Sequence, residues 1–306
     1  MKPKLFFTWK GLLLWSNHFY GIAAGLMSIE MVLTIFNKPP SIFLVVCIYL
    51  STIVYYTYAY FDEIETGIYN ERSQWYLQNK GYLKIRQVVL ILLCLYLAFF
   101  KLPLIDVFYS TTTSIKIILL LTLIISFFYA RGHVILKNIQ IRNKGFLKCL
   151  SIAWVWVVVG GIAPLVMASG GQVEWNPFSN YIFMQLLQLF VFILILAILF
   201  DIKDLNRDQD EKVKTLVAKY GIKPTIYKFI LPLVLLYIWV SLFLFFRLEQ
   251  PLVYLIFPFL IAFLLILVTY LVQKRTAIHE NILLIDGLII AKALIGIVLF
   301  WAGSSS

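Results

Sequence analysis

The sequence predicts an all-α, polytopic membrane protein: a helical bundle with nine transmembrane helices and a cytoplasmic N-terminus. Three observations lead to this prediction. Of the 306 residues, 62% are hydrophobic and only 13% are charged, whereas a soluble domain is about half hydrophobic and about a quarter charged. The hydrophobic residues come in nine blocks, each close to the roughly 20 residues that cross a bilayer. The long connections between the blocks are basic, and the short ones are not.

The nine apolar blocks are the predicted spans. They lie at residues 12–36, 41–61, 87–105, 112–130, 148–168, 180–200, 227–246, 252–273 and 282–302. Nine spans leave no room for a separate soluble domain, so residues 1–306 are predicted to form a single membrane domain. The segment before the first span has no suitably placed cleavage site, and we expect the first helix to be retained. The three cysteines lie inside apolar blocks without CxxC spacing, which argues against a disulfide framework.

The basic residues indicate how the chain crosses the membrane. The N-terminus and the long loops, with their borders, carry 21 of the 26 Lys and Arg residues, while the short loops carry four. Positive loops stay in the cytoplasm, so we predict a multi-pass cell-membrane protein with the N-terminus and long loops cytoplasmic and the C-terminus outside. This distribution explains the net charge of +11 without a nucleic-acid partner. The remaining basic residue, Lys292, lies inside the ninth span and is expected to have a carboxylate partner.

Acidic residues cluster at the predicted cytoplasmic edge. Nine of the 15 lie in two loops, 62–71 and 201–211, each directly after an even-numbered span. If the sixth span continues as a helix, Asp201, Asp204 and Asp208 share one face within about 60°. Such carboxylates repel one another unless cations neutralise them, and Mg²⁺ binds a few carboxylates together with water and substrate phosphates. The pattern indicates a Mg²⁺ site, and a solvated, charged helix end is the alternative.

At these positions the chain resembles the UbiA superfamily of intramembrane prenyltransferases. These proteins have nine helices, a cytoplasmic N-terminus and an aspartate-rich motif after spans 2 and 6. Their second motif, a DxxDxxxD frame followed by Lys-Thr-Leu and Gly, is matched by DIKDLNRD at 201–208, KTL at 214–216 and Gly221. The stretch 141–147 resembles the basic family loop that helps to hold the diphosphate.

The first motif departs from the family form NDxxDxxxD. Asp62 keeps the central aspartate, but residues 58–59 read Tyr-Ala in place of Asn-Asp, and Thr66 stands in place of the last Asp. Glu63 or Glu65 can supply the missing carboxylate, because one residue along a helix is a rotation of only about 100°. Of the two, Glu65 can share a face with Asp62 and is the predicted ligand.

The resemblance implies Mg²⁺-dependent transfer of an isoprenoid chain from a prenyl diphosphate to a lipophilic acceptor, aromatic or otherwise, within the lipid bilayer. The implied metal ligands are Asp62, Glu65, Asp201, Asp204 and Asp208. Of these, Asp204 and Asp208 are expected to be catalytic. The basic candidates for diphosphate binding are Arg72, Arg142 and Lys144. Two polar residues early in the first span, Asn17 and His18, are predicted to contact the acceptor, since polar groups inside spans are costly.

Two other functions are compatible with the same features. A terpene cyclase on this scaffold would ionise the same diphosphate and close the chain on itself, and a sealed aromatic cavity would favour it over transfer. A non-catalytic transporter or lipid-binding protein would keep the fold; a transporter would be expected to have inverted repeats and interrupted helices. The sequence shows no such repeat, and its acids cluster at one edge, which favours the enzyme.

Overall fold

A computed structural model describes residues 8–65, 71–135, 145–172, 181–205, 215–247, 252–274 and 278–304. All regular elements within these ranges are helical, and the described residues contain no strand. The all-α prediction is therefore confirmed.

The described α-helices occupy the predicted blocks and, as shorter helices, some of the connections between them. They are α1 (His18–Phe36), α2 (Ile42–Glu65), α3 (Glu71–Gln78), α4 (Lys80–Tyr96), α5 (Leu104–Ser110), α6 (Thr113–Ile135), α7 (Phe146–Val157), α8 (Ala163–Ala168), α9 (Tyr181–Lys203), α10 (Leu216–Tyr220), α11 (Ile222–Thr225), α12 (Leu231–Arg247), α13 (Ile256–Val272) and α14 (Ile278–Ser304). Wider, π-helical turns occur at Lys10–Trp15, Leu97–Lys101, Val158–Ile162 and Ile226–Ile230, and a 3₁₀ turn at Leu252–Leu255. Because three of the π-helical turns directly adjoin α-helices, they extend α4, join α7 to α8 and join α11 to α12.

Among the described residues, seven helical segments are long and apolar enough to cross a bilayer. Two further apolar segments, Thr113–Tyr129 and Ile256–Val272, are shorter and stand where the fourth and eighth spans are predicted. The structure thus confirms a multi-span helical membrane protein, while the number nine stays a prediction.

The first predicted span is interrupted near its start. A π-helical turn ends at Trp15, and Asn17 has the left-handed angles φ 66° and ψ 13° before α1 begins. Asn adopts this conformation more readily than most residues. The prediction of one continuous helix over 12–36 is therefore wrong at its beginning, because the left-handed residue redirects the chain. The break buries the side chains of both Trp15 and Asn17.

Helix α9 forms the centre of the bundle. Every residue from Val191 to Leu199 is at most 3% exposed, as expected of a helix that is apolar all round. It packs between α7 and α12, while α1 packs between α2 and α14. Helix α4, by contrast, exposes apolar side chains such as Ile85 and Leu92. These side chains form a surface suited to lipid contact.

Helices α1 and α2 approach each other closely at Gly21. A Cβ at this position would lie 2.8 Å from Tyr49 Cδ2 and 2.9 Å from the Tyr49 carbonyl oxygen. Only glycine permits this approach, which is typical of small residues at helix contacts in membranes. The contact sets the first turn of α1 directly against α2.

Candidate active site

Aromatic rings from four helices converge beside the end of α2. We call Tyr20, Tyr56, Tyr60, Tyr76 and Trp156 the aromatic cluster. The rings of Tyr20 and Tyr56 stack with centroids 4.2 Å apart, and the Tyr60 hydroxyl donates to the Tyr20 hydroxyl at 3.4 Å. The Trp156 indole N–H donates to the Tyr56 hydroxyl at 3.1 Å, and the Tyr60 and Tyr76 centroids are 6.1 Å apart. The result is a wall of ring faces and edges inside the bundle.

Arg72, predicted to bind diphosphate, lies against this cluster. Its guanidinium carbon is 4.1 Å from the centroid of the Tyr60 ring and 5.3 Å from that of Trp15. The residue is 8% exposed, so its charge is held inside the protein by ring faces that attract cations. The short helix α3 thus places the positive charge of Arg72 at the edge of the aromatic cluster.

Asp204, the central aspartate of the second motif, follows the last residue of α9. Its Oδ1 lies 3.4 Å from the Nζ of Lys203, and its side chain is 23% exposed. The Lys203 ammonium in turn lies 5.2 Å from the centroid of the Phe200 ring. A carboxylate that solvent can reach can bind a cation, and the buried ammonium beside it can bind a phosphate oxygen.

Asp286 of α14 joins the same set of charges. It is 3% exposed and lies near the hydroxyl of Tyr20 and near the charges of Lys203 and Arg72. Its Oδ2 accepts no hydrogen bond from the described residues. Asp286 is not among the predicted site residues, because at the start of the ninth span it could either border the cavity or cap the helix, although an acid inside a predicted span is itself a signal of function.

Asp201, the first aspartate of the motif, faces a different helix. Its Oδ1 is 2.7 Å from Lys148 Nζ and its Oδ2 is 3.3 Å from Cys149 Sγ, both on α7. The carboxylate is fully buried. The structure therefore gives Asp201 an ion pair between helices α9 and α7, whereas Asp204 pairs with Lys203.

The two predicted acceptor residues have different surroundings. The Asn17 amide donates to the Thr57 hydroxyl at 3.0 Å and to the Tyr76 hydroxyl at 2.7 Å. Its Oδ1 is buried and accepts no hydrogen bond from the part of the chain that the structure describes. His18 Nδ1 instead hydrogen-bonds the hydroxyl of Tyr49 on α2. Asn17 thus adjoins the aromatic cluster through Tyr76, and His18 contacts α2.

A second cation, Arg86 of α4, lies next to the hydrogen bonds of Asn17. Its Nη2 donates to the Thr57 hydroxyl at 2.9 Å, so Thr57 links Arg86 to Asn17. Burial raises the pKa of the Tyr76 hydroxyl above its usual value, although the Arg72 charge partly opposes the shift. Tyr76 is therefore protonated at neutral pH. The sequence prediction treats Arg86 only as one of the orienting loop charges.

Several predicted site residues fall outside this description. Asp208, Arg142 and Lys144 lie outside the described residues. Asp62 and Glu65 are in the last turn of α2, near the start of α3, and their side chains are also outside the described part.

Metal binding requires a suitable set of donors. The described residues contain no group of three or more His, Cys, Asp or Glu side chains that could hold an ion. Mg²⁺ commonly uses only one or two carboxylates, with phosphates and water completing its shell. The accessible carboxylate of Asp204 fits this requirement.

Comparisons with known proteins identify the family. The solved structures that share the fold include the following two. A UbiA homologue from Archaeoglobus fulgidus bound to Cd²⁺ has 15% identity and a TM-score of 0.55, over 94% of this chain and 98% of that chain. A structure of digeranylgeranylglyceryl phosphate synthase has 20% identity and a TM-score of 0.54, over 94% of this chain and 96% of that chain. No curated protein sequence matches the chain. The UbiA prenyltransferase family model matches residues 60–285, and the chain therefore belongs to this family.

Proposed function

We propose that the protein is an intramembrane prenyltransferase that moves an isoprenoid chain from a prenyl diphosphate to a lipophilic acceptor. The observation that supports this most is the meeting of charges and rings at one end of the bundle. Arg72 lies against the aromatic cluster, and Asp286 lies near Tyr20, Arg72 and Lys203. Lys203 in turn pairs with Asp204. A diphosphate needs cations around its oxygens, and the carbocation left by its departure needs ring faces. Both environments lie side by side here.

The first step is binding of the diphosphate. Arg72 and Lys203 supply positive charge for its oxygens, and the planar guanidinium of Arg72 can bind two of them at once. Asp204 would hold Mg²⁺, together with Asp208, Asp62 and Glu65 as the sequence predicts. When bound, Mg²⁺ neutralises phosphate charge and makes diphosphate a better leaving group.

The second step is ionisation. As the allylic C–O bond breaks, its electron pair stays with the diphosphate oxygen, and positive charge develops on the prenyl carbon. The ring faces of Tyr20, Tyr56 and Trp156 can stabilise that charge. Tyr20 and Trp156 are buried, which keeps away the water that would convert the cation to an alcohol.

The third step joins the prenyl carbon to the acceptor. A polar acceptor must be oriented, and the buried Oδ1 of Asn17 offers a hydrogen-bond acceptor beside the cluster. This group favours transfer over cyclisation, which needs no second substrate. The acceptor loses a proton as the new bond forms, and we assign that proton to the carboxylate of Asp286. We also propose that this end of the bundle faces the cytoplasm, as the loop charges predict.

A turnover assay in purified membranes tests the proposal. Labelled geranyl, farnesyl and geranylgeranyl diphosphates are supplied with Mg²⁺ and a cell lipid extract as the acceptor source. We expect diphosphate release that requires Mg²⁺ and that is lost in Asp204→Asn. The matched control is Asp106→Asn in α5, an exposed aspartate outside the site, which should keep wild-type release.

The products separate the candidate functions. A labelled conjugate with a lipid from the extract supports transfer, and a cyclic hydrocarbon or alcohol supports a terpene cyclase. If the wild-type protein releases no diphosphate under any of these conditions, the proposal fails and the non-catalytic alternative stands.

A further inference from the structure

A second polar site lies far from the candidate active site. A cavity of about 580 Å³ opens between α1, α9, α12, α13 and α14. Its lining includes Gln185 and Gln188, near the beginning of α9, whereas Asp204 follows the end of that helix. Since a helix rises 1.5 Å per residue, Gln188 is about 24 Å from Asp204 along the axis. The cavity is therefore distinct from the site of the proposed reaction.

A buried ion pair forms one side of the cavity. Lys292 Nζ lies 2.7 Å from Glu30 Oε1, and their side chains are only 8% and 14% exposed. A pair of this kind stabilises a protein no better than apolar residues of similar volume, and charges within spans usually mark functional sites. The backbone of α14 leaves room for the pair, because a Cβ at Gly296 would lie 2.5 Å from Glu30 Oε1.

Hydrogen-bonding side chains continue this polar side. The Gln188 amide donates to the Ser241 hydroxyl at 2.7 Å, and the Tyr181 hydroxyl donates to the Thr34 carbonyl oxygen at 3.2 Å. A carboxamide has two N–H groups and an acceptor oxygen. The bond to Ser241 therefore leaves Gln188 with both donor and acceptor capacity for a ligand.

The charges and apolar side chains that line the cavity indicate which class of ligand it can bind. The lining residues include one acid and one base, Glu30 and Lys292, and these neutralise each other. An anionic head would find no surplus positive charge here. Apolar side chains, among them Leu244, Phe257 and Leu299, form the remaining wall. The volume is within the roughly 300–1,000 Å³ of small-molecule sites.

We propose that this cavity binds a membrane amphiphile whose uncharged head carries hydroxyl or carbonyl groups. The head hydrogen-bonds to Gln188 and its polar neighbours, and the tail lies along the apolar wall. Such a molecule has two sources, a glyceride of the membrane or a quinone-like lipid. The inference does not depend on the proposed prenyl transfer.

Equilibrium binding to the purified full-length protein in detergent tests this site. The probes are tritiated 1,2-dioctanoylglycerol and a tritiated decyl-substituted quinone. Gln188→Leu removes the hydrogen-bonding group, and Gly296→Ala displaces Glu30. We expect each variant to bind about tenfold more weakly, the change produced by roughly one lost hydrogen bond. Size-exclusion profiles establish that each variant is folded.

Three variants are controls. A Cβ at Gly287, on the same helix as Gly296, meets only Phe19 Cζ at 4.0 Å. Gln273, which follows the last residue of α13, donates to the Thr269 carbonyl oxygen of that helix. Gly287→Ala and Gln273→Leu should bind the probes like the wild type. Asp204→Asn should also keep probe binding while it loses diphosphate release, which separates this inference from the proposed function.

The outcomes distinguish the two ligand sources and also test the proposal itself. Binding of dioctanoylglycerol alone indicates a membrane glyceride, and binding of the quinone alone indicates a quinone-like ligand; either supports the proposal. The proposal is overturned if neither probe binds, if Gln188→Leu and Gly296→Ala both bind normally, or if dioctanoyl phosphatidic acid displaces the probes more strongly than unlabelled dioctanoylglycerol does.

Discussion

At the scale of single residues, Arg72 combines charge with shape. Its guanidinium is fixed against the rings of Tyr60 and Trp15, and an ammonium on a flexible stem would not stack in the same way. The residue also lies near the carboxylate of Asp286. Its position therefore ties the proposed diphosphate site to the aromatic cluster.

The Arg72 substitutions separate charge from stacking. We expect Arg72→Ala to release diphosphate about 100-fold more slowly, a loss typical of a group that stabilises developing charge. Arg72→Lys keeps the charge and should fall between Arg72→Ala and the wild type. Release is measured with labelled farnesyl diphosphate. Arg247→Lys, at an exposed position, is the control, and equal rates for Arg72→Ala and wild type would contradict the assignment.

Asp286 is expected to act after ionisation. Asp286→Asn keeps the shape of the side chain but cannot take up the acceptor's proton. We predict about 100-fold less conjugate, within the range for general base catalysis, with diphosphate release reduced far less. The ratio of conjugate to released diphosphate is the measurement. Parallel losses of both products would instead assign Asp286 to donor binding.

The buried ion pair of Asp201 and Lys148 is expected to be destabilising if only one of its two partners is removed. Lys148→Met leaves a buried carboxylate without its charged partner and should lower the free energy of unfolding by about 3–5 kcal/mol. The double variant Lys148→Met/Asp201→Leu should recover most of that loss. Unfolding in mixed micelles measures both effects, and a fully stable Lys148→Met variant would show that the pair contributes little.

The same double variant tests the metal ligand predicted at Asp201. If Asp201 binds Mg²⁺, the stable double variant loses diphosphate release. If the carboxylate serves only the contact between α9 and α7, release continues.

At the scale of elements, the sequence predicts the positions of the helices better than their rotations. Apolar blocks locate the spans because chain length across a bilayer is a local property. The spacing of Asp201 and Asp204 predicts a shared face, but it does not predict their partners, which are Lys148 of α7 for Asp201 and Lys203 for Asp204. Which neighbour a side chain meets depends on packing with other helices, which no local pattern contains. Asn17 likewise interrupts the apolar block that is predicted to form one span, at the residue before α1 begins.

The contact between α1 and α2 depends on a residue without a side chain. In Gly21→Ala the new methyl group would press on the backbone of Tyr49, and we expect a loss of about 1–3 kcal/mol in the free energy of unfolding. Gly81→Ala in α4 is the matched control, since its Cβ meets nothing within 4 Å and alanine favours a helix. The contact would be less tight than described if Gly21→Ala unfolded at the same denaturant concentration as Gly81→Ala.

At the scale of the whole molecule, contacts between distant parts of the chain determine side-chain partners that the sequence alone does not predict. The expected carboxylate partner of Lys292 is Glu30, which is 262 residues away along the chain. Asp286, near the chain's end, reaches Tyr20 near its beginning. The family resemblance predicts the bundle and the ends at which the acids gather, but these pairings follow from the closing of α14 against α1.

The orientation in the membrane stays a prediction with a direct test. Gly81, at the start of α4, and Tyr109, in α5, are both exposed. A cysteine at 81 should react with an impermeant maleimide only after cells are permeabilised, and a cysteine at 109 should react in intact cells. The native cysteines give the background signal to subtract. The reverse pattern would place the candidate active site outside the cell.

The uniform burial of α9 has a consequence for sequence divergence. A helix enclosed by others on every side limits the volume of each side chain, so relatives can change it only by compensating exchanges with neighbouring helices. The lipid-facing side of α4 need only remain apolar, and its residues can drift one at a time. Two members of such a family can therefore differ at most positions and still keep the same central helix, because divergence accumulates on the outside of the bundle first.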